Sequence, residues 1–156
     1  MAERAIDAAT VPAAWSAQSR VLLAGDASGA ALVLDEPLSF WGGVEPTTGQ
    51  IIDHRHPQHG LNVTGRVLVM SAGRGSSSSS TVLAECLRAG TGPAAIVLLE
   101  ADEILVVGGL VAQLLDGTAM PIVLLESSAH ARISMGSVVA ISSEGRVDVR
   151  KSQNRV

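Results

Sequence analysis

Tyrosine is absent from these 156 residues, phenylalanine occurs once and tryptophan twice. A core built without rings must come from Val, Leu, Ile and Ala, which suits a parallel sheet buried on both faces. The net charge of −4 and the lack of any basic patch interleaved with aromatics exclude nucleic acid as a partner. Cys86 is the single cysteine, so no internal disulfide can form, and thiolates of this chain cannot hold an iron–sulfur cluster or a structural zinc. A reducing cytoplasm is the expected compartment. No apolar run approaches the roughly 20 residues that span a bilayer. No signal peptide is read at the start either, because Glu3 and Asp7 interrupt a basic leader and no apolar stretch precedes Val21.

What is present is aliphatic: 47% of residues are apolar and 17% charged, enough to bury a full core in one domain without staples. The surplus of apolar surface points to a partner subunit, with self-association of the isolated chain as the alternative. Residues 1–19 read as a loosely ordered lead-in, 20–150 as the domain and 151–156 as a polar tail. Apolar runs at 20–24 and 31–34, separated by Gly25-Asp26-Ala27-Ser28-Gly29, read as an antiparallel hairpin. Residues 36–60, dense in Gly and Pro, read as a long ordered loop with a functional role, anchored by Phe40 and Trp41. Strands are expected at 63–70, 94–99 and 121–125, with helices at 77–89 and 103–115 between them, giving two βαβ units. A short helix at 128–133 and a hairpin of 138–141 with 147–149 complete the chain. The fold class is therefore α/β: a small parallel sheet with flanking helices, embraced by antiparallel strands from both chain ends.

The most informative stretch is Ser71-Ala72-Gly73-Arg74-Gly75 followed by Ser76, Ser77, Ser78, Ser79 and Ser80. It lies between the run Val67-Leu68-Val69-Met70 and a helical pattern formed by Val82, Leu83, Cys86 and Leu87. Gly73 and Gly75 allow a sharp turn and close approach of a ligand, while the serines cap the helix and leave its first N–H groups outward. The result is an anion site lined with hydroxyls and flanked by the Arg74 cation. A flexible serine linker is the competing reading, disfavoured by the apolar runs pressed against both ends. The loop matches neither the nucleophile elbow Gly-x-Ser-x-Gly nor a Walker loop, since no lysine follows.

Other candidates are weaker. His54, His56 and His59 fall within six positions, and His54 and His56 would share one face of an extended segment, a possible metal geometry with Asp53. Pro57 argues instead for a rigid turn, with His56 lining a site shared with a partner. No metal site is assigned to this chain. Gly108-Gly109 suggest close helix packing, Cys86 a buried inert thiol, and Asp102-Glu103 acids of a first helical turn.

Taken in order, Pro37-Leu38-Ser39-Phe40-Trp41-Gly42-Gly43-Val44-Glu45-Pro46, Thr48-Gly49-Gln50-Ile51-Ile52-Asp53, His56-Pro57, Gly73-Arg74-Gly75-Ser76-Ser77 and Pro93-Ala94-Ala95-Ile96 resemble the small subunit of aconitase X, over roughly 20–147. The resemblance implies a swivelling β/β/α domain, equivalent to the mobile domain of aconitases, that closes over a larger subunit. That partner would carry the iron or iron–sulfur cluster, leaving no cofactor bound by this chain. Members of the family are dehydratases, among them bacterial cis-3-hydroxy-L-proline dehydratase and archaeal phosphomevalonate dehydratase.

By the same resemblance, Ser76 is the proton acceptor, and Arg74, Gly75, Ser77 and Ser78 surround the substrate. Trp41, Gly42, Gly43, Asp53 and His56 belong to the loop that borders the site and the partner. Aconitases follow their two serines with an arginine that grips a carboxylate, and Ser78 stands in that place, so carboxylate binding falls to Arg74, to backbone N–H groups or to the partner. The extended serine run and the Ala-rich character favour hydroxyproline over phosphomevalonate. A non-catalytic anion-binding or scaffold module is the alternative of another class. A phosphohistidine swivelling domain is set aside because no histidine lies between His59 and His130.

Overall fold

A computed structural model of the chain describes residues 12–152. In chain order the elements are β1 (Trp15–Gln18), β2 (Arg20–Leu23), β3 (Ala27–Val33), β4 (Val67–Val69), α1 (Ser78–Ala89), β5 (Ala95–Leu98), α2 (Glu103–Asp116), β6 (Ile122–Leu124), α3 (Ser127–His130), β7 (Val138–Ile141) and β8 (Arg146–Arg150). The strands form one eight-stranded sheet in the order β1-β8-β7-β3-β4-β5-β6-β2. Its two ends are neighbours in sequence, because Ser19 alone separates β1 from β2. The sheet therefore curls toward a barrel. At the corner, the Ser19 N–H and hydroxyl both donate to the Gly145 carbonyl, at 2.9 and 2.7 Å.

The expected α/β class is borne out, with two corrections to its strands. Residues 20–24 and 31–34 do not form a hairpin: β2 pairs antiparallel with β6, while β3 pairs parallel with β4 and antiparallel with β7. The interval that reads as a turn is half strand, since Ala27, Ser28 and Gly29 pair with Ile141, Ala140 and Val139. Ala31 and Leu32 are fully buried, which places this part of β3 inside the sheet. The parallel region thus holds four strands, β3 to β6, rather than three. The second correction concerns the lead-in. Residues 15–18 form β1 along β8, and the Trp15 ring lies under the Arg132 guanidinium at 4.5 Å. Residues 1–11 and 153–156 lie outside the described part.

Alternation along the parallel strands sorts their side chains between two cores. Val67, Val69, Ala95, Val97 and Val123 face the barrel interior with Ile141, Val147 and Val149. Leu68, Met70, Ile96, Leu98 and Ile122 face outward and meet Leu83, Cys86 and Leu87 of α1 and Leu105 and Ala112 of α2. Each buried aliphatic side chain contributes about 1.5–3 kcal/mol. Both helices end as glycine rules expect, at Gly90 (φ 76°) and Gly117 (φ 70°). They pack closely because Gly108 lies against the Ser80 carbonyl and Leu83, where a β-carbon would crowd both. Residues 36–63 are ordered without strands of their own: Leu38, Phe40, Val44, Ile51 and Val63 are buried in the outer core, and bridges join Val44 to Ile51 and Gln50 to Asn62.

Candidate active site

β4 ends at Val69, and the chain leaves the C-terminal edge of the parallel strands through residues 71–77 before entering α1. Ligands of parallel α/β sheets characteristically bind at this edge. Gly73 forms a parallel bridge with Leu38, and the Arg74 N–H donates to the Leu38 carbonyl at 3.3 Å, fastening the loop to the long segment. Gly75 adopts φ +105°, a conformation that disfavours any residue with a side chain. Ser76, Ser77 and Ser78 are exposed at the start of α1.

The serines do not cap the helix as expected. Ser77 holds the N-cap position with helical angles (φ −53°, ψ −25°) and makes no side-chain cap bond. The Ser80 hydroxyl instead donates backward to the Ser77 carbonyl at 2.6 Å. The first paired amides are those of Ser79 and Ser80, which donate to the Ser76 and Ser77 carbonyls at 3.0 and 3.1 Å. Among the described residues, the amides of Ser76, Ser77 and Ser78 have no backbone acceptor, so the positive end of α1 is open at these three residues. The Arg74 side chain lies 3.8 Å from Glu36, in a pair whose side chains are both about half exposed.

Of the expected loop residues, Trp41 comes to this site. It is 62% exposed, Gly42 is exposed, and the Trp41 N–H donates to the Ser79 hydroxyl at 3.3 Å. Gly43 is buried, with Ser39 where a β-carbon would stand. Asp53 and His56 serve the loop itself. The Asp53 carboxylate accepts from the Arg55 N–H at 2.9 Å. His56 is buried, its Nδ1 accepts from the Gln58 N–H at 3.1 Å, and its Nε2 donates to the Glu36 carbonyl at 3.1 Å. These bonds fix a neutral tautomer and occupy both nitrogens, so His56 neither lines the surface nor offers a metal ligand. The histidine segment is turned rather than extended, with His56 N–H on Asp53 and His59 N–H on His56, and His54 stacks on His59 at 4.5 Å.

Sequence reasoning gave no role to Ser39, Ser79 or Glu36, and read Asp102 as a first-turn acid where the structure makes it the N-cap. Ser79 is buried beneath the loop, and Asp102 caps α2 by accepting from the Leu105 N–H at 3.1 Å. Ser39 was visible inside the Pro37–Pro46 motif, and the helical spacing of Val82, Leu83, Cys86 and Leu87, carried back one turn, marks Ser79 as the serine on the buried face. Cys86 is fully buried, and that burial pushes its thiol up to about 11 against a weaker opposing bond from Thr91. An iron centre does not fit this donor set: the lone thiol is sealed in the core, and no cluster of three His, Cys, Asp or Glu suited to a metal occurs among the described residues. No helix among them is long and apolar enough to cross a membrane. A groove of about 240 Å³ between α1 and α2, lined by Ser80, Ala84, Arg88, Val111 and Leu115, runs along the helix flanks and leaves Ser76 on open surface.

A curled mixed sheet with two helices over its parallel strands and an exposed glycine–serine loop at their C-terminal edge defines a swivel domain. The chain belongs to the aconitase X family: the family model described as "Aconitase X swivel domain" matches residues 16–149. The aconitase X structure from Thermococcus kodakaraensis (holo-form) superimposes with a TM-score of 0.77 at 28% identity, over 88% of this chain and 99% of that one. Cis-3-hydroxy-L-proline dehydratase of Pseudomonas aeruginosa is 48% identical over 68% of this chain, which spans 18% of that longer protein. Phosphomevalonate dehydratase small subunit of Methanopyrus kandleri is 42% identical over 76% of this chain and 84% of its own.

Proposed function

We propose that this domain is the mobile half of a dehydratase active site, active with a larger partner, and that Ser76 is its proton acceptor. The observation that carries the reading is the placement of Ser76: exposed, one residue beyond the positive-φ Gly75, at a helix N-terminus whose first amides are open. A serine hydroxyl becomes a base only where its alkoxide is stabilised, and amides together with the Arg74 cation are suited to that. With the substrate carboxylate near Arg74 and these amides, the alkoxide of Ser76 takes the proton from the adjacent carbon. The C–H electron pair becomes the new double bond, and the hydroxyl on the neighbouring carbon leaves with its bonding pair as hydroxide, which becomes water on taking a proton from a donor in the partner's half of the site or from solvent. Positioned proton transfer of this kind is worth about 10²–10⁴-fold.

Assistance to the departing hydroxyl has to come from the partner, which this reading takes to hold the iron or iron–sulfur centre. Cis-3-hydroxy-L-proline is the preferred substrate, supported by the 48% identity to the Pseudomonas protein of that name. Phosphomevalonate is the second candidate, supported by the 42% identity to the Methanopyrus small subunit. The cytoplasm is the compartment assigned with this function.

The test is reconstitution with a co-expressed large subunit and assay on both substrates. Ser76→Ala is expected to lower kcat by about 100-fold or more while the fold is kept. Near-normal turnover of that variant would retire the assignment. Anion binding without dehydration, whichever partner is supplied, would leave a non-catalytic binding module.

A further inference from the structure

Ser79 differs from its neighbours in being 1% exposed, and its hydroxyl meets two groups of the long loop. The Trp41 N–H donates to Ser79 Oγ at 3.3 Å, Ser79 Oγ lies 3.2 Å from Ser39 Oγ, and Ser39 Oγ lies 2.8 Å from the Trp41 carbonyl. A carbonyl only accepts, so the Ser39 hydrogen goes to Trp41. That leaves Ser79 to donate to Ser39, and the bonds close into a ring with a single orientation: Trp41 N–H to Ser79, Ser79 O–H to Ser39, Ser39 O–H to the Trp41 carbonyl. The Trp41 N–H is thereby tied directly to the first turn of α1, and its carbonyl is joined to that turn through Ser39. Phe40, fully buried, pins the same segment from below. The ring also forms the seat of Gly75: a β-carbon there would collide with Ser39 Oγ and stand 3.0 Å from Ser79 Oγ.

We propose that Ser39 and Ser79 are positioning residues that make the Trp41 segment and the Ser76 loop one rigid face. They act through Gly75, whose positive-φ backbone packs against the two hydroxyls in the residue immediately before the proton acceptor, so the ring sets where Ser76 Oγ stands when the domain closes. The inference rests on the dehydratase reading for its catalytic consequence, while the coupling itself is a property of this chain alone. Displacing a reacting group by about 1 Å costs on the order of 100-fold in rate, whereas substrate affinity supplied by other groups is little changed. Deleting one hydroxyl leaves its ring partners without their bonds, so the two serines should behave as a unit.

The experiment compares Ser79→Ala, Ser39→Ala and the double variant with Thr81→Ala, an exposed hydroxyl of α1 outside the ring. Amide hydrogen exchange at Trp41 is read on the isolated chain, and kcat and KM on the reconstituted complex. The ring variants are expected to raise Trp41 exchange at least about tenfold. In the complex they should lower kcat about 10–100-fold with KM within about threefold, and the double variant should be no worse than the poorer single one. Thr81→Ala should change neither. Unchanged exchange at Trp41, losses in kcat no larger than those of Thr81→Ala, or fully additive single losses would overturn the proposal. Should Ser79→Ala fail to fold, Ser39→Ala removes the ring from the loop side and decides the matter. Because exchange is measured without turnover, a wrong assignment of Ser76 or of substrate would leave that arm intact.

Discussion

Gly73 stands directly against the Asp102 carboxylate, where a β-carbon at position 73 would overlap Oδ2, while Oδ1 accepts the Leu105 N–H at 3.1 Å. The loop that carries Ser76 therefore rests on the N-cap of α2, and the two βα connections meet at one contact. Gly73→Ala is expected to destabilise the chain by about 1–3 kcal/mol through overpacking, a fall of several degrees in Tm. Asp102→Ala should cost about 1 kcal/mol through the lost cap. Their combination should cost less than the sum, since removing the carboxylate makes room for the new methyl. Thermal melts of the four proteins check this. Strict additivity would show that the contact does not couple the two loops.

The pair formed by Arg74 and Glu36 is long, at 3.8 Å, and both side chains are about half exposed, so it contributes little to stability. Its consequence is for binding. Glu36→Gln is expected to leave Tm within about 1 °C, because exposed pairs are worth about 0–1 kcal/mol. It should also lower KM, since the guanidinium no longer has a carboxylate to leave before engaging an anionic substrate. Arg74→Ala should raise KM about tenfold or more and change kcat less, as loss of a charge-assisted contact does when it holds ground state and transition state alike. Steady-state kinetics of the reconstituted complex provide the measurement. An unchanged KM in Arg74→Ala would move carboxylate binding to the amides or the partner.

Much of the fold was legible because its strongest signals are local. The runs at Val67–Val69 and Ala95–Leu98 are buried on both faces, so length and flanking glycines identify them, and Gly90 and Gly117 mark where the helices stop. The partners of β2 and β3 were not legible. Ala27-Ser28-Gly29 has turn composition, yet β7 claims it as strand, and pairing across more than a hundred residues leaves no local trace. The site divided in the same way. Its glycine–serine loop could be placed between strand and helix from the pattern, and the singling out of Ser76 came from family resemblance. The bonding of Ser79 to Ser39 and Trp41, the capture of both His56 nitrogens and the contact of Asp102 with Gly73 depend on long-range packing.

Cys86 supplies a pH dependence whose sign follows from its burial. The thiol is fully buried against the outer core, and loss of hydration raises its pKa from 9.0 to about 11, with the Thr91 hydrogen bond opposing. The folded chain thus holds this proton more tightly than the unfolded chain does. Below pH 9 both states are protonated and the group leaves stability unchanged. As pH rises from 9 toward 11 the unfolded state gives up its proton first, so stability falls across that window. Replacing Cys86 with Ala should flatten this part of the stability–pH curve, at the cost of the small cavity left in the core. Urea melts from pH 8 to 11 of both proteins test it, with thiol modification as a second reading. The native thiol is expected to stay unreactive at pH 8 and to react on unfolding, because a thiolate, not a thiol, is the nucleophile. Rapid labelling of the folded chain at that pH would place Cys86 in an open environment and contradict the sealed core that separates it from Ser76.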